Sequence, residues 1–145
     1  MYETRITVRF GDIDRAGIAY YPNLYHYCHV AFEEFFENFV GLSYPRLIEE
    51  HHIGFPTVRV ESYFRRPIKY GDVLRVTVGV ARVGESSVNF EFRASRASEG
   101  QVCFMTSHIL VAVDMTTFRP VRIPEFLRDA FRRAGAEADP EPDAP

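Results

Sequence analysis

Val8-Arg9-Phe10-Gly11-Asp12-Ile13-Asp14-Arg15-Ala16-Gly17-Ile18-Ala19-Tyr20-Tyr21-Pro22-Asn23 joins two kinds of periodicity. Over residues 3–10 the chain alternates, with Ile6, Val8 and Phe10 on one face and Arg5, Thr7 and Arg9 on the other, the pattern of a half-buried strand. Beyond it the spacing turns helical: Leu24, Cys28, Ala31, Phe35 and Phe39 form one stripe, widened by Tyr27 and Phe32. Pro22 suits a first helical turn, where its missing N–H costs nothing, and Gly41 ends a helix of about five turns. The connection carries two acids and two glycines. A carboxylate thereby stands beside a helix N-terminus, whose unpaired backbone N–H groups can polarise a carbonyl. That combination points to acyl chemistry without serine, cysteine or metal.

Working outward, residues 44–51 read as a short second helix, with Gly54 and Pro56 punctuating the chain beyond it. Four alternating segments then run over 57–66, 73–82, 88–95 and 102–114, separated by turns at 67–72, 83–86 and 99–101. Residues 123–134 form a last helix between Pro124 and Gly135. The order is strand, helix, short helix, four strands, helix: an α+β chain with an antiparallel sheet. Several strands are at the long end for globular proteins, so the sheet must curve around something, and the helix at 22–40 is the candidate. Residues 1–135 read as one domain, and 136–145 as an acidic tail with no apolar anchor, expected to be disordered.

Composition narrows the function classes. The 145 residues carry a net charge of −3 with acids and bases interspersed, which argues against a nucleic-acid surface of the usual basic kind. Charged residues interrupt every apolar run before membrane-spanning length and no signal peptide precedes the first strand, so a cytoplasmic protein is expected. Cys28 and Cys103 match no metal or redox spacing and read as small buried hydrophobes. Thirteen Phe and eight Tyr, many in or beside the first helix, exceed what one thin helix face can hide, which favours self-association.

Phe10-Gly11-Asp12-Ile13-Asp14, Ala16-Gly17-Ile18 and Tyr21-Pro22-Asn23, with Gly54, Pro56 and the Tyr70-Gly71-Asp72 turn, resemble the 4-hydroxybenzoyl-CoA thioesterase family in order and spacing over nearly the whole chain. The resemblance implies a hot-dog fold, an antiparallel sheet wrapped around a long central helix. It further implies dimers or tetramers with active sites at the subunit interface, an acyl-CoA substrate and no cofactor. Asp14 corresponds to the family's catalytic carboxylate, either attacking the thioester directly or activating water, and Tyr21 supplies the backbone amide for the thioester oxygen. Asp12 reads as a structural acid holding the loop. Gly17 either lets backbone and acyl group approach closely or simply serves the turn. Ile18, Tyr20, Tyr25 and Tyr63 are the candidate acyl-pocket walls, suited to an aryl group such as 4-hydroxybenzoyl or to a short or medium aliphatic chain.

The phosphates of coenzyme A call for arginine or lysine at a rim. Arg59, Arg65, Arg66, Lys69, Arg82, Arg93 and Arg96 are available, with Arg82 and Arg93 preferred, although the hairpin at 83–86 lacks the basic cluster of the closest hydroxybenzoyl enzymes. His26, His29 and Glu33 share helical spacing, but without a third or fourth convincing ligand no metal site is expected. His29 departs from the acid common at this point in related sequences. His108 lies on the strand face shared with Phe104, Leu110 and Ala112 and reads as a satisfied core or interface histidine. The rival readings are a non-catalytic hot-dog protein binding acyl-CoA or an acyl-carrier protein, and a dehydratase, for which neither His26 nor His29 has the matching motif.

Overall fold

The computed structural model describes residues 1–138. Its large sheet runs in the order β1 (Tyr2–Thr7), β4 (Val73–Val83), β5 (Ser87–Arg96), β6 (Val102–Val111) and β3 (Thr57–Phe64), all neighbours antiparallel. The long helix α1 (Tyr21–Glu34) widens into a π-type turn over Phe35–Val40 and stops at Gly41, whose φ of +88° is the left-handed cap that glycine adopts freely. Together they span the helix expected at 22–40. Phe32 and Phe35 of this helix pack on Phe90 of β5, with ring centroids 5.2 and 5.6 Å apart. One face of β4 and β5 (Leu74, Val76, Val78, Val80; Val88, Phe90, Phe92) is thereby sealed against the helix. Phe131 of α3 (Glu125–Arg133) closes the same core from the other end. The α+β hot-dog architecture expected from the sequence is the one observed.

Three local differences have physical causes. The first strand ends at Thr7, not residue 10, because the Asp12 carboxylate accepts the Arg9 N–H at 3.0 Å and curls Phe10–Asp12 into a 3-10 turn, leaving Phe10 exposed. The segment 102–114 is broken at Ala112, whose N–H turns to Ser86 O; β7 (Val113–Asp114) then pairs with β2 (Ile53–Gly54), just after α2 (Tyr44–His51). Alternation along β3 predicts a half-buried strand, yet as the free edge it exposes both faces: Val58 is 62 % and Phe64 55 % exposed. Of the expected acidic tail, β8 (Glu137–Ala138) pairs in parallel with Arg82–Val83, and residues 139–145 lie outside the described residues.

Candidate active site

Two acids two residues apart do different things. Asp12 is tied down: its Oδ2 accepts from the Arg9 N–H and, at 2.6 Å, from the Tyr27 hydroxyl of α1. Its carbonyl accepts from the Tyr20 N–H and from Asn23 Nδ2. Burial and the neighbouring carboxylate hold the Tyr27 phenol well above its ordinary range, so it remains the donor of that bond. Asp12 thus staples the loop to the helix, as the sequence suggested.

Asp14 is presented outward. The pairing of Ile13 with Ala19, the Asp14 N–H to Ile18 O bond and the Gly17 N–H to Asp14 O bond (both 3.0 Å) close a tight loop with Asp14 on its exposed side. The Ala16 N–H donates to Asp14 Oδ1 at 2.8 Å, fixing the carboxylate in an Asx turn. Its second oxygen makes no hydrogen bond among the described residues. The loop returns directly into α1, where the N–H of Tyr21 makes no hydrogen bond among the described residues. A fixed carboxylate and an open helix-terminal donor therefore share one short, doubly anchored loop. Gly17 adopts φ +81°, which accounts for the glycine by backbone conformation alone, since a Cβ there would meet nothing within 4 Å.

Behind the helix start lies a cavity of about 330 Å³, at the small end for ligand pockets. Tyr25, Cys28, His29 and Phe32 of α1 form one wall; Phe92, His108 and Leu110 of the sheet form another. Tyr44 and the segment Phe55–Thr57 complete it, with Pro56 and Thr57 exposed at its edge. The Tyr25 hydroxyl donates to Ser62 Oγ at 2.9 Å, which anchors the ring at the boundary with β3. Burial pushes the Cys28 thiol up to about 12, so it stays protonated and serves as wall, not nucleophile.

Of the four pocket residues expected from the sequence, only Tyr25 lines this cavity. Tyr63 alternates with Ser62 and stands on the opposite face of β3, its hydroxyl near Glu61, while Ile18 and Tyr20 remain on the Asp14 loop. Arg93 lies on the outer sheet face beside Glu91 and Met105, and Arg82 at the far end of β4, where it has interaction partners. The segment Arg65–Asp72 is instead bonded to the loop itself, through Ala19 N–H to Ile68 O and Gly71 N–H to Val8 O, and carries exposed Arg65, Arg66 and Lys69. His29 Nε2 pairs with Glu33 at 3.3 Å, and no group of three or more potential metal ligands forms among the described residues. Of the core and interface readings of His108, the satisfied-core one does not hold within one chain: its Nε2 is closed off from solvent with no hydrogen-bond partner among the described residues. Sequence reading missed the cavity because its walls come from elements more than eighty residues apart; Tyr25 and His108 among apolar neighbours were the signals that marked it.

An antiparallel sheet wrapped around a long helix defines a hot-dog protein. The profile of the thioesterase-like superfamily matches residues 8–131, and the chain belongs to that family. It is 32 % identical over 133 residues to a 1,4-dihydroxy-2-naphthoyl-CoA hydrolase of Prochlorococcus marinus (strain MIT 9303), with 83 % of each chain covered. Its fold is similar to that of a gentisyl-coenzyme A thioesterase, with a TM-score of 0.79, 26 % identity, and 88 % and 99 % of the two chains covered. It is similar also to a 1,4-dihydroxy-2-naphthoyl-CoA thioesterase from Synechocystis, with a TM-score of 0.82, 21 % identity, and 90 % and 95 % covered. No helix among the described residues is long and apolar enough to cross a membrane.

Proposed function

We propose that this protein is an acyl-CoA thioesterase acting on aryl-CoA thioesters, with Asp14 as its essential carboxylate. The observation that carries the reading is the shared loop: Asp14 held by the Ala16 N–H, and the unpaired Tyr21 N–H opening α1 a few residues on. The Tyr21 amide and the helix terminus stabilise the oxygen charge of the tetrahedral state. The carboxylate drives addition at the carbonyl carbon, either through a water it deprotonates or by its own attack. In the latter case the mixed anhydride left after C–S cleavage is hydrolysed by water to the free acid and Asp14. Collapse of that state breaks the C–S bond, and the CoA thiolate leaves without needing a strong general acid. Relatives whose names specify dihydroxynaphthoyl and gentisyl thioesters support the aryl class. Exposed Arg65, Arg66 and Lys69, on the segment bonded to the Asp14 loop, are better placed than Arg82 and Arg93 to meet the CoA phosphates.

The exposed β3 edge favours a dimer in which two copies of β3 pair antiparallel. Such pairing about the strand's middle sets residues near 57 against residues near 64 of the partner. Because Tyr21 packs on Phe64, with ring centroids 6.4 Å apart, each Asp14 loop then approaches the Pro56–Thr57 edge of the other protomer's cavity. Carboxylate and acyl pocket thus come from different copies.

Thiol release from an acyl-CoA panel tests the activity. Asp14→Asn keeps size and removes charge, and turnover should fall at least ~10³-fold with the fold intact by circular dichroism. Full activity in that variant overturns the assignment, while tight acyl-CoA binding without cleavage by the unaltered protein favours a binding module.

A further inference from the structure

The cavity beside α1 is walled by aromatic rings, including Phe32, Tyr44 and Phe92, and no Lys, Arg, Asp or Glu lines it among the described residues. An aromatic acyl group gains stacking and edge contacts there, whereas a second carboxylate on the acyl group finds no counterion. Two imidazoles contribute to its walls, His29 from α1 and His108 from β6. They are in different states. His29 lies on Phe32 with ring planes 23° apart and is held through Nε2 by Glu33, which leaves its Nδ1 for a ligand. His108 sits between Tyr25 and Phe92, at 6.0 and 5.1 Å between ring centroids, and its imidazole makes no hydrogen bond to any described residue.

His108 Nε2 is sealed, but Nδ1 is not closed off and makes no hydrogen bond to a described residue, so Nδ1 is the nitrogen that a ligand hydroxyl can reach and pair. Burial also holds the His108 imidazole below its ordinary value, so at neutral pH the ring is uncharged and can accept a phenolic O–H or donate to its oxygen. A hydrocarbon acyl group of the same shape would fill the cavity and leave that nitrogen unpaired.

Resting on the aryl-CoA thioesterase reading above, we infer that His108, with His29 as the second contact, is the specificity-determining residue that binds a ring hydroxyl of the acyl group. The enzyme thereby selects hydroxyaryl-CoA over its deoxy counterpart. Sites built to hydrogen-bond a substrate hydroxyl discriminate strongly against analogues lacking it, because the protein's polar group is then stranded.

The test is a ratio: kcat/KM for 1-hydroxy-2-naphthoyl-CoA over that for 2-naphthoyl-CoA, each followed by thiol release. The unaltered protein should give a ratio of at least ~10. In His108→Phe, which keeps ring volume, the ratio should fall toward one, and in His108→Gln, which keeps a hydrogen-bonding group, it should fall less. His29→Phe alters an accessible side chain and should lower the ratio partway, so the test survives if His108→Phe does not fold. A ratio near one in the unaltered protein, or one unmoved by His108→Phe and His108→Gln, overturns the inference while leaving the hydrolase reading intact. No thiol release from any aryl-CoA overturns the hydrolase reading itself, and the inference with it.

Discussion

Asp12 and Asp14 show how much of this site is settled by single hydrogen bonds. Tyr27 fills one oxygen of Asp12 from inside the core, which makes Asp12 a fastener; Asp14 has only its own loop and stays available. Tyr27→Phe removes the bond without changing the ring, and should cost about 1.5–3 kcal/mol of stability, as a hydrogen bond to a charged group does. Urea unfolding measures that loss, and turnover should fall far less than in Asp14→Asn. His108 gives a second residue-scale outcome. Burial against Tyr25, Phe92 and neighbouring cavity walls, which include Cys28 and His29, holds its folded-state value below the unfolded 6.5. As pH falls through that value the unfolded chain takes up a proton that the folded chain refuses. Its contribution to stability is therefore full above pH 6.5 and declines below it. Urea midpoints measured on both sides of that value should differ less in His108→Phe than in the unaltered protein.

At the scale of elements, the long helix is the part around which everything else is ordered. Its π-type extension buries Phe35 and Phe36 fully, Phe35 on Phe90 of the sheet and both against Phe131 of α3. Removing Phe35 leaves a hole that surrounding aromatic rings fill poorly. Phe35→Ala should cost about 3–5 kcal/mol, read as a shifted urea midpoint with little change in slope. Because Phe35 lies more than three helical turns beyond Tyr21, the protein that remains folded should keep its KM for thioester, which activity measured below the unfolding transition checks.

For the molecule as a whole, the open edge is the informative feature. Val58 and Val60 of β3 are 62 % and 44 % exposed on a strand with one side unpaired. Charged side chains on such an edge oppose strand pairing. The double variant Val58→Lys with Val60→Lys should halve the mass by light scattering and lose at least ~10-fold in turnover, though Asp14 is untouched. A monomer with undiminished thioester hydrolysis refutes the shared site.

The order of elements and the helix start at Pro22 were legible in the sequence, because each rests on contacts between residues close along the chain. Periodicity reports which face is apolar, and turn chemistry reports where a loop must tighten. The end of β1 at Thr7 was not legible, since a side chain reaching back from Asp12 cut it short. Nor was the place of Tyr63, whose face is set by the register of β3 on β6, where Ser62 meets Tyr25. Only the tertiary structure decided that Tyr25, His29 and His108 line one cavity and that His108 makes no hydrogen bond there among the described residues. Those facts depend on how a helix and three strands distant in sequence come to rest against one another, which no local pattern encodes.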